Sequence, residues 1–320
     1  MITTSRCKLA ALCSLMLLLA ASLPLGTSTT YADDEPGQSE SKKVAAALPA
    51  LPTETEPAII LAKSTAAYEA LENYSAEGTI HVDMDREGKT TKLDTVFEVK
   101  LKKPNLYLVT WTQSSAESAA FKQSGAVWSD GTQPYLYMGV TKAYAKIEGD
   151  QMALATATGI SGGVAHTIPA HFLPEMKKLG SPFARLVKPK LTGTELIGDD
   201  NCYVIRGSSA GAGDETLWIS VQTYLVRQFR RTMTSDGTQK MPKLTDKQLE
   251  ASIKASGQEV TEERKKEMRE MMAKTAERMK DLKFTMTSTE THEKISTDPL
   301  TEEDFSYKVP EGVALKPALF

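Results

Sequence analysis

Two stretches of the sequence match the G-x-S-x-G pattern of a nucleophilic serine, at residues 159–163 and 207–211. The pattern works when a strand enters, a tight turn exposes the serine and a helix leaves. Ser161 follows an Ala/Thr-rich segment without a strand pattern, and the glycines after Ser209 are typical of a hairpin loop. Neither stretch therefore predicts an esterase.

The four histidines do not form a metal-binding pattern. His166 and His171 are five residues apart, which places them on different faces of a helix, and no HExxH pattern accompanies them. Paired carboxylates such as Asp199 and Asp200 lie among polar neighbours, whereas the acids of a glycosidase need an apolar pocket. The sequence predicts no metal site, no cofactor and no catalytic centre, so we expect a protein that is not an enzyme.

The aromatic and aliphatic residues favour a different function, because they lie in segments with the two-residue period of a strand. A long antiparallel sheet must cover its apolar face, and a sheet that curls around a partly open cavity can hold an apolar ligand. Which face of each strand points inward stays open, since a register error of one residue inverts it. The candidate lining residues are Phe97, Val99, Leu101, Tyr107, Trp111, Trp128, Tyr137, Leu217, Ile219 and Phe284.

The elements that carry these residues predict an α+β fold with a strongly curved antiparallel sheet. Pro57 suits the first turn of a helix, and after Asn73 the period changes to that of strands joined by short turns. Residues 152–179 predict one or two short helices. Strands are predicted again at 191–197, 202–207, 216–221, 224–232, 284–295 and 305–309.

A densely charged stretch at 241–281 predicts a helical hairpin inserted between two neighbouring strands. Thr245 with Gln248 resembles a capping box, and Glu262/Lys266 and Glu270/Lys274 are favourable pairs four residues apart. Its methionines share one helix face, so either they pack on the sheet or they form an adaptable lid or docking face for a ligand. The face comprises Met268, Met271, Met272, Ala276 and Met279.

The N-terminal residues predict export. Arg6 and Lys8 precede an apolar run that is too short to span a membrane, and Ala32 ends a site of small residues. We therefore expect a cleavable signal peptide at 1–32, a disordered linker at 33–56, one domain at 57–320 and a periplasmic location.

Charge and cysteine content argue against a nucleic-acid-binding protein and against a disulfide-stabilised one. Without Arg6 and Lys8 the chain carries 36 basic and 41 acidic residues, a formal charge of −5 that disfavours nucleic acid as a partner. Cys7 and Cys13 lie in the predicted signal peptide, so its removal leaves Cys202 as the single cysteine. No internal disulfide can then form, and stability must come from a core.

Several short motifs resemble the periplasmic carriers of outer-membrane lipoproteins. Residues 99–106 read Val-Lys-Leu-Lys-Lys-Pro-Asn-Leu and are followed by Tyr107, similar to the carriers' strand end with a basic residue and Pro-Asn-Leu-aromatic. The turn at 129–131 and the closing Phe305 with Pro310-Glu311-Gly312-Val313 also have counterparts in that superfamily. The resemblance implies an incomplete β-barrel whose mouth is covered by helices and which binds lipid without catalysis.

Two departures mark the chain as a divergent member of this superfamily. The carriers have an arginine at the position of Lys103, and the 241–281 insertion is foreign to the simple carriers. We expect binding of lipid or lipoprotein acyl chains, with transient membrane contact and trafficking toward the outer membrane. The alternative is a protein-interaction module of the cell envelope that has a filled core and contacts its partner through the inserted arm.

Overall fold

The computed structural model of the protein describes residues 54–164, 168–177, 182–209, 213–237, 245–255, 259–279 and 282–317. The predicted signal peptide at 1–32 and the predicted linker, apart from residues 54–56, lie outside the described residues. None of the described helices is both long and apolar enough to cross a membrane.

Twelve strands of the described chain form one sheet. Their alternating apolar residues and short turns explain the strand form. The strands are β1 (Asn73–Arg86), β2 (Lys89–Lys102), β3 (Leu106–Ser115), β4 (Ser118–Asp130), β5 (Pro134–Met138), β6 (Ala143–Lys146), β7 (Leu186–Ile197), β8 (Asp200–Ser209), β9 (Gly213–Ser220), β10 (Val226–Asp236), β11 (Lys283–His292) and β12 (Ala314–Leu315).

The strand order is β12-β6-β5-β4-β3-β2-β1-β11-β10-β9-β8-β7. Every neighbouring pair is antiparallel except β12 with β6. The curved sheet is not closed, because β12 and β7 lie at opposite edges. The predicted α+β incomplete barrel is confirmed.

Six described helices accompany the sheet. They are α1 (Pro57–Ala70), α2 (Asp150–Ile160), α3 (Ile168–Phe172), α4 (Pro174–Lys177), α5 (Asp246–Ala255) and α6 (Glu262–Met279). Residues of α1 to α4 belong to the main apolar core together with one face of the sheet, which we call the inner face. Helices α5 and α6 pack on each other between β10 and β11, so the predicted inserted hairpin, here called the arm, is confirmed.

The opposite, outer face has its own cover. Leu300, Phe305, Tyr307, Val309 and Val313 pack on a cluster that includes Leu108 and Trp128. The prediction of a strand at 305–309 is wrong, because Phe305 ends a short 3₁₀ helix, Glu302–Phe305. A capping box between Thr301 and Asp304 holds that turn and competes with strand pairing.

Candidate functional site

Seven of the ten predicted lining residues of the strands share the inner face. All are at most 4% exposed and belong to the main core. Direct pairing of Phe97 with Trp111 and of Leu101 with Tyr107 explains this, because residues opposite each other in antiparallel strands point to the same side. The seven are Phe97, Val99, Leu101, Tyr107, Trp111, Leu217 and Ile219.

Two glycines let the large rings of this set lie close to the sheet. A Cβ atom on Gly125 would lie 2.2 Å from the Trp111 ring, and one on Gly78 would lie 2.5 Å from Cζ of Phe97. Each ring therefore occupies the space above a glycine of the neighbouring strand. The two glycines thus let large aromatic rings pack flat on the inner face near the centre of the sheet.

Two other members of the predicted set lie away from these seven. Trp128 and Tyr137 lie on the outer face, where Trp128 is opposite Leu108 and Tyr137 is opposite Ala126. The Trp128 ring stacks on Tyr135 at a centroid distance of 5.2 Å. Since the C-terminal segment covers them there, they cannot line an inner cavity.

Three predicted residues remain: one lies on β11 next to the arm, and two lie on the arm itself. Phe284, near the start of β11, is partly exposed. Met268 and Met272 are also partly exposed on α6. The arm is stabilised by Lys265, which is 7% exposed and pairs with Glu250 at 2.9 Å and with Glu262 at 2.6 Å. These pairs replace the predicted Glu262/Lys266 contact.

Helices α1 and α3 are joined to the sheet by a few specific contacts. The backbone N–H of Val226 donates to the Tyr68 hydroxyl at 3.0 Å. Lys103 Nζ donates to the backbone oxygens of Tyr68 and Glu69 at 3.3 Å and 2.7 Å, and lies 5.1 Å from the centroid of the Phe172 ring. Lys103 thus joins the end of α1 to α3.

Helix α2 is fixed at both of its ends. The Tyr107 hydroxyl donates to Asp150 Oδ1 at 3.0 Å, and Thr95 Oγ1 donates to the Ser161 backbone oxygen at 3.1 Å. Burial raises the pKa of Tyr107 and also raises that of the Asp150 carboxyl, although the hydrogen bond from Tyr107 opposes the latter shift. These contacts support a structural role for both groups.

A buried polar group on the inner face was missed by sequence reasoning. His292 Nε2 lies 2.8 Å from Glu290 Oε1, and its Nδ1 lies 3.3 Å from the Tyr74 hydroxyl. Burial raises the pKa of Tyr74 well above its ordinary value. The strand segment Thr-Glu-Thr-His reads as polar on both faces, so the sequence carries no signal that Glu290 and His292 are buried.

The described residues do not assemble a hydrolytic or metal centre. No group of three or more His, Cys, Asp or Glu side chains that could hold a metal occurs within the described part of the chain. Ser161 follows helix α2, and Ser209 ends β8 before the return along β9, so neither serine has the strand–turn–helix context of a nucleophile.

Comparison with solved structures gives matches that cover most of this chain at low identity. An uncharacterized conserved protein from Thermus thermophilus is 10% identical over 81% of this chain and 97% of its own, with a TM-score of 0.36. A LolA superfamily protein from Nitrosomonas europaea is 10% identical over 80% and 99%, with a TM-score of 0.24. Mycobacterium tuberculosis lipoprotein LppX is 10% identical over 77% and 99%, with a TM-score of 0.30. Each match thus extends over nearly the whole length of the other chain.

A search among curated proteins finds no match. The model of one protein family, in contrast, matches residues 58–261, which include α1, strands β1 to β10 and helix α5. That family is described as "Predicted periplasmic protein (DUF2092)". Because the match spans more than half of the sequence, this chain belongs to the DUF2092 family of predicted periplasmic proteins.

Proposed function

We propose that this protein is exported by its cleavable signal peptide and binds lipid, acyl chains or another apolar ligand in the periplasm without catalysis. The observation that carries the proposal is the largely apolar inner face under a cover of four helices, α1 to α4. Seven strand residues predicted as ligand contacts, from Phe97 on β2 to Ile219 on β9, lie on that one face.

We infer that helices α3 and α4 are the part of the cover that opens for a ligand. Helix α3 has five residues and α4 has four, which are too short to be stable helices on their own. Their apolar residues, such as Phe172 and Met176, are buried against the main core. If α3 and α4 moved away, an acyl chain could take over their apolar contacts with the inner face. These ligand contacts would offset part of the free energy needed to displace the two helices.

The proposal also fits the composition of the interior. The buried set combines aromatic rings with aliphatic side chains, which is typical of sites for apolar ligands. The resemblance of residues 99–107 to the lipoprotein carriers supports the same ligand class. Trafficking of lipid or lipoprotein toward the outer membrane is the cellular role that we propose for this activity.

A second candidate function is favoured by the closed state of the core. Large side chains such as Tyr68, Leu101 and Tyr107 are fully buried, so the inner face is filled by the protein itself. A protein-interaction module of the cell envelope would keep this core closed. Its contact surface would be the arm, where Met268 and Met272 are partly exposed.

Native mass spectrometry of protein purified from the periplasm without detergent tests the first proposal against the second. We expect adducts with the masses of acyl lipids. Two β2 variants form a matched pair: Leu93→Asp changes a partly buried residue packed on the inner core, and Val96→Asp changes a residue that is 62% exposed. Loss of adducts in Leu93→Asp alone is expected; a wild-type protein that is always lipid-free would favour the interaction module.

A further inference from the structure

The burial of the inner face decreases toward the end of the sheet where the arm is inserted. Ile80 and Glu290 lie in one cross-strand row and are buried. Four residues further along β1, Met84 lies opposite Met286, and both are partly exposed. The last row of this face contains Arg86, which is exposed. The inner face is therefore accessible to solvent at this end.

Three methionines in register occupy the accessible part. Met84 on β1 is opposite Met286 on β11, which is in turn opposite Met233 on β10. All three are partly exposed, and Met286 packs against the main core. Side chains directly opposite each other in a sheet lie about 5 Å apart at Cβ. The row is thus a continuous, adaptable apolar strip, because thioether side chains repack around varied shapes.

Two exposed cations lie at the outer end of this strip, whereas Arg231, on its coreward side, is already paired with Glu215 at 2.8 Å. Arg86 and Lys89 are directly opposite each other at the tip of the β1–β2 hairpin, and their positions in the strands place them on the inner face. Both are exposed, and neither forms an ion pair within the described part of the chain. Like charges in directly opposite positions destabilise a sheet, so an anion bound between the two would relieve their repulsion.

The arm begins and ends at the same end of the sheet. Asp236, the last residue of β10, pairs with Lys283, the first residue of β11. The partly exposed methionines Met268 and Met272 of α6 therefore belong to an insertion that leaves and rejoins the sheet beside the methionine row.

We propose that this end of the inner face, here called the port, binds an amphiphile with an anionic headgroup. Arg86 and Lys89 bind the carboxylate or phosphate of the headgroup, and the acyl chain lies along Met84, Met286 and Met233 toward the core. Charge-assisted contacts of this kind are stronger than neutral ones and select the sign of the headgroup. The inference rests on the proposed binding of apolar ligands and specifies the ligand's chemical class.

Displacement of a fluorescent fatty acid from the full mature chain tests the port. The competitors are dodecanoate, which is anionic, and monolauroylglycerol, which carries the same acyl chain on a neutral headgroup. We expect Arg86→Glu/Lys89→Glu to weaken dodecanoate binding by roughly tenfold or more and monolauroylglycerol binding by less than about threefold. A control that reverses two exposed lysines elsewhere, Lys122→Glu/Lys146→Glu, should change neither.

A second variant separates the apolar strip from the headgroup site. Met233→Glu should weaken both competitors, whereas Met233→Leu should weaken neither by more than about threefold, since leucine keeps the apolar volume. Inorganic phosphate at millimolar concentration should not displace the probe, because the acyl chain contributes most of the affinity.

The outcomes distinguish this inference from the function on which it rests. A wild-type protein that binds neither competitor would contradict the proposed lipid binding as a whole. Binding of both competitors with equal losses, or with no loss, in Arg86→Glu/Lys89→Glu would overturn only the port. Displacement of the probe by inorganic phosphate would also overturn it, since the site would then be a simple anion site.

Discussion

Lys103 is a single side chain that contacts two helices of the cover. It donates to two backbone oxygens at the end of α1 and lies over the Phe172 ring of α3. A cation at this place also complements the negative end of the α1 dipole. Lysine thus makes helix contacts at the position where the carriers have arginine, but without the bidentate geometry of a guanidinium.

We expect Lys103→Ala to lower the free energy of unfolding by about 1–3 kcal/mol, because charge-assisted hydrogen bonds to α1 are lost. Hydrogen exchange should become faster in α1 and α3. The neighbouring Lys102 offers a control, since its Nζ donates to the backbone oxygen of Leu300 at 2.8 Å. Lys102→Ala should therefore loosen the C-terminal segment and leave α1 unchanged. Equal exchange effects of the two variants on α1 would contradict this role for Lys103.

The sequence indicated which residues share a face in some strands and not in others, for a physical reason. In β2 the apolar residues Phe97, Val99 and Leu101 alternate with charged residues, which indicates one buried face. Val96 is the single strongly apolar residue on the other face of this strand. In β3 and β4, apolar residues occupy both faces, as in Tyr107-Leu108-Val109 and Ala126-Val127-Trp128. Both faces of those strands are covered, and so are both faces of β5, where Leu136 belongs to the main core and Tyr137 to the outer cluster. The period alone therefore could not assign Trp128 or Tyr137.

Among the larger elements, the C-terminal segment depends on one carboxylate. The backbone N–H and the hydroxyl of Thr301 donate to Asp304 at 2.8 Å and 2.9 Å. These hydrogen bonds lower the pKa of Asp304, the backbone one contributing most. The turn that they cap places Phe305 on the outer face beside Leu108.

Asp304→Ala should therefore destabilise the protein at neutral pH and have little effect in acid. Since the pKa of Asp304 is lower in the folded state than in the unfolded chain, its contribution is present above the ordinary carboxyl pKa of about 4 and is lost as the pH falls through the folded-state value. Thermal unfolding of both proteins at about pH 7 and about pH 3 measures this. A difference in melting temperature that grew in acid would contradict the capping role.

The arm offers a prediction about an entire element. Because Asp236 and Lys283 pair directly, a short turn can join β10 to β11. We expect replacement of residues 241–281 by a short Gly/Ser turn to leave a folded sheet domain, detectable by circular dichroism and a cooperative thermal transition. The same variant should bind a fluorescent fatty acid more weakly, since Met268 and Met272 are removed. Failure of the shortened protein to fold would mean that the arm's methionines are part of the core.

The whole sheet combines two strand groups that sequence reasoning could not arrange. Strands β1 to β6 extend from the centre toward one edge, and β7 to β10 extend from the other edge inward until β11 pairs with β1. Short turns predicted most neighbours, because they force consecutive strands together. The β1–β11 contact joins residues about 200 positions apart in the sequence. Local patterns carry no signal for such a pair, so the strand order had to come from the structure.

For the whole molecule, we propose that the inner face of the sheet, and not the outer one, receives an apolar ligand. The most direct measurement is photo-crosslinking with a fatty acid that carries a diazirine on its acyl chain, followed by peptide mapping. We predict crosslinks on inner-face residues of β1, β2, β10 and β11, including Met84, Met233 and Met286, and on α3. Crosslinks confined to the outer face around Val96 and Tyr307, or none at a saturating probe concentration, would contradict the account.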